Sequence, residues 1–528
     1  MTSAAAAPSP RPAHSAAAHV HSADSAVPRA RPLDLAGIGI GPCNLSLAAL
    51  AHGVPGLRTA FFEQQPEFSW HPGLLIEGAT LQVPFLADLV SLADPASPWS
   101  FLRYLRARER LFPFYFAERF HITRAEYEAY CRWVCTELES RPTRSGAPGD
   151  PADRTGGTSG AAGTAGGGGV GLYFGHRIDA LRWNTERAVF ELDFTRLHAG
   201  SGTVQARGRA YARNLCLGVG TAPHVPEPLR PLLEAPTVPV LHSADYLAHR
   251  ARLLAAGHVT VVGSGQSGAE VFLDLLRRRP AGAEGLHWVT RSPAFAPMEY
   301  SKLGLEHFTP DYARYFHGLP EQVRDGLLTR QGQLHKAIDH GTLGAIHDEL
   351  YQRTLSGGWP DAVLTPGVGV RTAGRIGRAQ VELHLEHAEQ GARSRLVTDA
   401  VVLATGYRER SCEGLLSALD PHIRRDARRR PRIDEEFRIV LDPSVRGAVH
   451  VQNAERHTHG VGAPDLGLAA YRSARILNAV TGGEQFPLPR RSAFTTFGLR
   501  DEGTGRQEEG ARQESTGRGE GGGVPYPR

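Results

Sequence analysis

Short apolar runs that lead into a glycine-rich turn and then into helical periodicity occur twice along the chain. In the first unit, LDLAGIGIGPCNLSLAALA (33–51), an apolar run at 35–40 predicts a buried strand, and the Ala/Leu-rich stretch after it predicts a helix. In the second unit, HVTVVGSGQSGAEVFLDLLRRR (258–279), VTVVG predicts a strand and the remainder predicts an amphipathic helix. Both units therefore have the order of elements that begins a dinucleotide-binding α/β fold.

The first turn reads G-x-G-x-x-N, with Gly39, Gly41 and then Asn44 in place of a third glycine. Glycines let backbone amides approach a pyrophosphate at a helix N-terminus, where free N–H groups and the helix dipole favour anions. A second apolar run, TAFFE at 59–63, ends in Glu63, where an acid is expected to bind a ribose hydroxyl. The unit predicts a dinucleotide site; the alternative is a tight turn without a ligand.

The second turn carries a complete G-x-G-x-x-G motif. Its predicted cofactor contacts are Gly263, Gly265, Gln266, Ser267 and Gly268. The next strand, LHWVTR, ends in Arg291. An arginine where NAD sites often place an acid favours the 2′-phosphate of NADPH. The alternative for Arg291 is an ordinary surface cation.

Two further strands predict how the chain is divided. DAVVLATGY (399–407) ends in Thr405, Gly406 and Tyr407, and NLCLGVGTAPHVPEP (214–228) is similar. In flavoproteins with two dinucleotides, such strands return the chain between domains, so we expect FAD and NADPH on one chain. The predicted domains are an FAD domain (32–255 and 396–490) and an inserted NADPH domain (256–395), whose helical region at about 296–356 binds substrate.

The composition and net charge limit the possible classes of protein but indicate no particular chemistry. Residues 1–31 and 491–528 predict a disordered arm and tail, and 142–170 a flexible Gly-rich insertion. A net charge of +4 in 528 residues gives no indication of nucleic acid or an anionic membrane, and no apolar run is long enough to span a bilayer. Five scattered cysteines fit a reducing cytoplasm, and no metal site is expected.

Several long segments resemble one family, the flavin-dependent N-hydroxylating monooxygenases that act on lysine, ornithine or diamines for hydroxamate siderophores. The resemblance covers 33–482 and rests on the segments FSWHPGLLIEGATLQVPFLADLVSLADPASPWSFLRYL (68–105), PFYFAERFHITRAEYEAYCRW (113–133) and NAERHTHGVGAPDLGLAAYRSARILN (453–478). It implies a class B flavoprotein monooxygenase fold with two Rossmann-like domains, and a homo-oligomer (dimer or tetramer). It also implies that NADPH reduces FAD, that O2 is the co-substrate, and that the amine is hydroxylated through a C4a-hydroperoxyflavin.

The resemblance also assigns residues around the flavin. The Trp-His pair and the Gln that line it in the family match Trp70, His71 and Gln82, of which His71 and Gln82 are the expected catalytic contacts. The expected approach to the ring comes from Thr458, His459, Gly460 and Asp465. The alternatives are a core histidine for His71, a buried amide bonded to loop backbone for Gln82, and a plain helix cap for Asp465.

One departure from the family bears on the substrate. Members that hydroxylate amino acids carry a Lys for the substrate carboxylate where this chain has Ala87, and an Asn where it has Leu305; a second substrate-binding Asn falls near His335. A buried carboxylate without its partner costs about 3–5 kcal/mol. A diamine has no carboxylate, and its distal ammonium needs an acceptor instead, for which Glu306, Asp339 and Glu299 are candidates.

The expected substrate is therefore a diamine. The likeness over 68–133 and 291–312 is greatest to the cadaverine hydroxylases of desferrioxamine pathways. Three alternatives stay open: an L-lysine N6-monooxygenase in which another group binds the carboxylate, a putrescine N-monooxygenase, and an uncoupled NADPH oxidase or flavin redox protein.

Overall fold

The computed structural model describes residues 31–140, 169–233, 238–355 and 357–499. Most of the predicted arm, insertion and tail lies outside these residues. The strands are β1 (Leu33–Ile38), β2 (Arg58–Glu63), β3 (Gly169–Phe174), β4 (His176–Asn184), β5 (Val189–Leu197), β6 (Val204–Leu217), β7 (Thr221–Pro223), β8 (Val240–His242), β9 (Val259–Val262), β10 (Leu286–Val289), β11 (Ala362–Thr365), β12 (Val368–Ile376), β13 (Gln380–His387), β14 (Arg393–Thr398), β15 (Ala400–Leu403), β16 (Tyr407–Glu409) and β17 (Val449–Val451). The helices are α1 (Pro42–Ala51), α2 (Phe101–Ala107), α3 (Leu111–Ala117), α4 (Arg124–Ser140), α5 (Tyr246–Ala255), α6 (Gln266–Arg278), α7 (Pro310–His317), α8 (Glu321–Arg330), α9 (His340–Thr354), α10 (Glu413–Leu416), α11 (Arg456–His459) and α12 (Ala469–Thr481).

The first sheet contains both predicted strands of the first unit. Its parallel part has the order β3-β2-β1-β6-β17. The N-terminal part of β6 pairs with antiparallel β5, and β5 pairs in turn with antiparallel β4. In the register, Leu35 of β1 lies opposite Thr59 of β2 and Asn214 of β6. β1 is buried on both faces, because Leu35 packs in the apolar cluster with α1 and α12, while Ala36 and Ile38 pack in a second cluster on the other face.

The second sheet is parallel throughout, in the order β11-β10-β9-β15-β8. Its first four strands repeat the order β3-β2-β1-β6 of the first sheet, whereas its edge strand β8 precedes the others in the chain. The two sheets confirm the predicted α/β class. The sheet extends past the predicted interval 256–395 at both ends, because Val401 of β15 lies opposite both Thr260 of β9 and Val240 of β8. The sheet itself therefore runs from Val240–His242 to Ala400–Leu403 in the chain, because it forms by pairing between distant segments, which local sequence patterns do not record.

The structure also differs from two other predictions, which concern the end of the Gly-rich insertion and the strands between the domains. Gly169 and Val170, placed in the Gly-rich insertion, begin β3, which pairs with β2. The two strands predicted to return the chain between domains lie in different sheets, as the end of β6 and as β15, and the short strands that follow them pair with each other. β7 and β16 form an antiparallel pair in which Tyr407 lies opposite Pro223, and His224 N–H donates to Gly406 O at 2.8 Å. No helix in the described part of the chain is long and apolar enough to cross a membrane.

Asn44 occupies the third position of the first turn for a structural reason. Its fully buried Nδ2 donates to Ile38 O at 3.1 Å and Gly39 O at 2.9 Å, at the end of β1. Its Oδ1 accepts from Gln452 Nε2 at 3.0 Å and from the Cys216 thiol at 3.3 Å. The side chain thus ties the end of β1 to the chain that leaves β17 and to β6.

Replacing Asn44 with glycine, which restores the common motif, is expected to destabilise the fold. Removal of a buried group that leaves donors unpaired costs about 1–3 kcal/mol. The urea midpoint of the apoprotein, followed by tryptophan fluorescence, should fall without a change in slope. An unchanged midpoint would mean that this position needs only a small residue.

Candidate active site

The first glycine turn forms an open cradle at the start of α1. Gly39 has φ +89°, and a Cβ there would lie 2.4 Å from Gly218 O, so only glycine fits. Gly41 has open space where its Cβ would be, and α1 begins without a side-chain cap. Pro42 has no N–H, so the N–H groups of Cys43 and Asn44 are the ones that this helix start offers to an anion. Glu63 Oε2 accepts from Ile40 N–H at 3.0 Å, and this carboxylate retains lone pairs for a ribose hydroxyl.

The second glycine turn repeats the arrangement at the start of α6. Gly263 has φ +124°, and a Cβ there would lie 2.2 Å from Ala404 O; one on Gly268 would lie 2.5 Å from Gly263 O. Gly265 again has open space. Gln266 and Ser267 are the first two residues of α6. Arg291 follows β10 and is exposed, as a residue that binds a phosphate from solvent would be.

His71 and Tyr407 meet although they are far apart in sequence. Their ring centroids lie 5.3 Å apart, and His71 also packs edge-on against Trp70 at 5.1 Å. His71 has φ +49°, a left-handed conformation uncommon for a non-glycine residue. Burial, followed by the charge of Arg124, lowers the pKa of His71 to about 4, so the ring is neutral at physiological pH.

Gln82 lies on a loop fixed by the segment before α4. Leu81 N–H donates to Ile122 O at 2.8 Å, and Arg124 N–H donates to Ala79 O at 3.0 Å. The Gln82 Nε2 donates to Thr80 O at 2.8 Å, and its Oε1 faces Arg124 Nη2 at 3.5 Å. This amide is half-buried and bonded to loop backbone, as the alternative reading expected, while its oxygen is directed at a buried cation.

The Thr458–Gly460 segment packs against the helical region of the second domain. His459 stacks on Phe437 at 4.3 Å and lies 5.1 Å from the His317 ring. Its Nδ1 is 2.9 Å from Thr458 Oγ1, and burial holds its pKa well below the ordinary value. Gly460 has φ +82°, and a Cβ there would lie 3.1 Å from the Phe316 ring.

A buried ion pair beneath this segment was missed by sequence reasoning. Arg472 Nη1 lies 2.9 Å from Glu455 Oε1 and donates to Ala463 O at 2.6 Å, and both charged side chains are fully buried. Arg472 Nη2 also reaches Cys43 Sγ at 3.5 Å, next to the first turn. The pair holds the 455–463 segment against α1. Nothing in the periodicity of α12 distinguishes Arg472 from a surface residue.

Ala87 and Asp465 lie on the same side of Gly467. A Cβ built on Gly467 would lie 2.8 Å from Asp465 Oδ1 and 3.9 Å from the Ala87 methyl. Ala87 is buried, and Asp465 accepts a 2.7 Å hydrogen bond from Gly467 N–H, which caps the short helix Leu466–Leu468. Burial raises the pKa of Asp465 to about 6. A carboxylate that caps a helix thus lies close to Ala87.

The three predicted acceptors for a distal ammonium are already engaged. Glu306 accepts from Phe494 N–H at 2.9 Å and from Thr495 N–H at 2.7 Å. Asp339 caps α9 by accepting from Thr342 N–H at 2.9 Å, and Glu299 accepts from Ser301 N–H at 2.6 Å. Leu305 lies in the short helix Gly304–Phe308 and is 39% exposed. His335 is half-buried, and burial lowers its pKa to about 4.

The contacts of Glu306 also correct the predicted tail. Residues 491–499 are described and cross the helical region, where Asp311 accepts from Ala493 N–H at 2.9 Å and from Ser492 Oγ at the same distance. Phe497 packs edge-on against Tyr312 at 4.9 Å. The prediction of disorder is therefore wrong for 491–499, and the remainder of the predicted tail lies outside the described residues.

Comparisons with known proteins agree with this geometry. The chain matches the family described as L-lysine 6-monooxygenase/L-ornithine 5-monooxygenase over residues 31–143 and 170–409. It is 38% identical over 473 residues to the rhizobactin siderophore biosynthesis protein RhbE of Rhizobium meliloti, which covers 88% of this chain and 95% of that protein. It is 36% identical over 464 residues to a putrescine N-hydroxylase of Shewanella oneidensis, which covers 88% and 84%. The solved, FAD-bound cadaverine monooxygenase DfoA of the desferrioxamine pathway of Erwinia amylovora has a TM-score of 0.77 at 34% identity, with 89% of this chain and all of that one covered.

The fold and the two glycine turns are thus those of a flavin N-monooxygenase, and the protein is an enzyme of that class. It belongs to the L-lysine 6-monooxygenase/L-ornithine 5-monooxygenase family, which uses FAD and NADPH. It catalyses the flavin-dependent N-hydroxylation of an amine for hydroxamate siderophore biosynthesis.

Proposed function

We propose that the substrate is a terminal diamine, cadaverine, which the enzyme converts to N-hydroxycadaverine for a desferrioxamine-type siderophore. The observation that carries this proposal is the pairing of a buried Ala87 with the Asp465 carboxylate on one side of Gly467. Where the family's lysine would offer a cation to a carboxylate, this chain offers an anion. An anion at that point selects a ligand whose far end is positive. The solved relative that acts on cadaverine supports the same substrate.

Asp465 suits the distal ammonium better than the acceptors expected from sequence. With a pKa of about 6, it is ionised at neutral pH, and a bound ammonium would lower that pKa further. The hydroxyl of Tyr300 is buried without a hydrogen-bond partner in the described residues. Burial, followed by the charges of Asp339 and Asp465, raises its pKa. Tyr300 can therefore donate to a carboxylate on this side of the site.

The cofactor assignments extend this proposal to the two turns. Gly39, Gly41 and Glu63 would hold FAD in the first domain. Gly263, Gly265 and Gln266 would hold NADPH in the second, with Arg291 at its 2′-phosphate. Bound there, the two cofactors supply the redox chemistry. The protein orients the amine, keeps His71 neutral beside the flavin, and excludes water.

Ala87→Lys is expected to abolish N-hydroxycadaverine formation. The new ammonium would lie beside Asp465, neutralise it and repel the distal end of a diamine. Purified protein with FAD, NADPH and O2 should be given cadaverine, putrescine, L-lysine and L-ornithine separately, and each hydroxylamine quantified by mass. N-hydroxycadaverine should dominate for the native chain.

Ala87→Met is the matched control, because it adds similar bulk without charge. It should lower activity through volume alone, by less than the lysine variant does. Dominant N6-hydroxylysine from the native chain would contradict the proposal and mean that another group binds the substrate carboxylate. Dominant N-hydroxyputrescine would keep the diamine class and change the length that the site accepts.

A further inference from the structure

A buried ion pair joins the two domains beside the second glycine turn. Arg124, the first residue of α4, is 8% exposed, and Glu270 of α6 is 6% exposed. Arg124 Nη1 lies 2.7 Å from Glu270 Oε2. α4 packs in the first domain, and α6 starts at the second glycine turn. Sequence reasoning gave neither residue a role.

Hydrogen bonds extend the pair in both directions. On one side, Arg124 Nη2 faces Gln82 Oε1 at 3.5 Å. On the other, Glu270 Oε1 accepts from Gln266 Nε2 at 2.8 Å. Gln266 Oε1 in turn accepts from Asp339 N–H at 2.7 Å, at the start of α9. One polar chain thus runs from the loop beside the flavin, through the second glycine turn, to the helical region beside the substrate.

The charge of Arg124 also acts on the flavin side. After burial, it is the second cause that lowers the pKa of His71, and it acts against the burial that raises the pKa of Tyr407 to about 12. A cleft of about 430 Å³ is lined on the same side of the interface by residues that include Thr80, Glu270 and Thr342. The ion pair therefore lies between a cleft large enough for water and the rings of His71 and Tyr407.

We propose that Arg124 and Glu270 are positioning residues that set Gln82 and Gln266 relative to one another, and so couple NADPH oxidation to amine hydroxylation. Arginine suits this task because its planar fork bonds two acceptors at once. Loss of the fork would let Gln82 and Gln266 move independently and admit water from the cleft. The expected consequence is slower flavin reduction by NADPH and more peroxide for each NADPH oxidised.

Arg124→Lys tests the positioning role without removing the charge. A lysine keeps one contact with Glu270 and cannot also reach Gln82. We expect bound FAD and the melting temperature to stay near native. The limiting rate of flavin reduction, measured anaerobically by stopped flow, should fall about tenfold or more, because small misplacements of reacting groups have effects of that size. The fraction of NADPH that ends as peroxide should rise.

A double variant, Arg124→Met with Glu270→Leu, removes both charges at once. Replacing a buried pair by apolar residues of similar volume is often neutral for stability, so this variant separates position from folding. It should bind FAD and show the same loss of reduction rate. Glu227→Gln is the matched control, because Glu227 pairs with Arg230 in an exposed bridge at 3.0 Å and does not line the cleft; it should behave as native.

Native reduction rates and native peroxide yields in Arg124→Lys and in the double variant would overturn the proposal and leave the pair a structural contact. Anaerobic reduction needs no amine. The result is therefore independent of whether cadaverine is the substrate, and a failed diamine assay leaves this test intact.

Discussion

Asp465→Asn is expected to lower kcat/KM for cadaverine by roughly 10²–10³-fold. Asparagine keeps the size of the side chain and can still accept from Gly467 N–H, so the cap of the helix is preserved. It removes the charge opposite a buried ammonium, and breaking such a pair costs about 3–5 kcal/mol, with 1.36 kcal/mol for each factor of ten. Hydroxylamine formation measured by mass against substrate concentration checks the value.

Pentylamine provides the internal comparison, because it lacks the distal ammonium. The native enzyme should prefer cadaverine strongly, and Asp465→Asn should bring the two amines close to equal. Asp339→Asn is the matched control, since Asp339 also caps a helix, through Thr342 N–H at 2.9 Å. That control should keep the native preference. A strong preference for cadaverine that survives in Asp465→Asn would remove Asp465 from the binding site.

Asp465 is also expected to make kcat/KM for cadaverine depend on pH. Burial raises the pKa of Asp465 to about 6, so kcat/KM for cadaverine should fall as pH drops below 6 and the carboxylate gains a proton. Asp465→Asn should lose this dependence on pH. The contribution of Asp465 to the free energy of unfolding changes with pH in the opposite direction. A carboxyl whose pKa is raised by folding stabilises the protein most at low pH, and this contribution is lost as pH rises through 6.

Gly41→Ala is expected to give a folded protein without flavin. Gly41 has φ −83°, which alanine adopts freely, and nothing lies within 4 Å of the new Cβ in the protein itself. The methyl group would instead occupy the cradle proposed for the FAD pyrophosphate. The melting temperature of the apoprotein should match that of the native apoprotein, while the visible flavin absorbance of the purified protein should be nearly absent.

Gly39→Ala separates the two roles of the turn. It forces a left-handed residue and places a Cβ 2.4 Å from Gly218 O, so we expect the apoprotein itself to be destabilised. Gly265→Ala is the counterpart at the second turn, where open space again predicts normal folding. It should retain FAD and lose affinity for NADPH. A fully flavinated Gly41→Ala protein would mean that the cofactor lies elsewhere.

The two glycine turns were predictable because they are local. A strand, a turn with φ above zero and a helix N-terminus follow one another within about twenty residues, so the residues that make them are adjacent in sequence. The same locality explains why the α/β class was predicted correctly. It also explains the misplaced edges, since Ala400–Leu403 joins the second sheet through strands that lie more than a hundred residues away.

Side chains that meet across the fold were not predictable in this way. Ala87 was singled out by resemblance, but its neighbour Asp465 lies in another part of the chain and was expected near the flavin. Glu306 was expected to face the substrate, and it binds the backbone of Phe494 and Thr495. The sequence does not distinguish a carboxylate that caps a helix from one that binds the backbone of a remote segment or one that binds a ligand.

The sequence by itself determined the two dinucleotide turns, the order of the elements around them and the replacement of the family's lysine by Ala87. The tertiary structure alone decided which carboxylate stands beside Ala87 and how Arg124 and Glu270 join the two domains. The physical reason is how far apart in the sequence the interacting residues lie. Backbone conformation follows from neighbouring residues, whereas the partner of a buried charge is set by packing between segments that are remote in sequence.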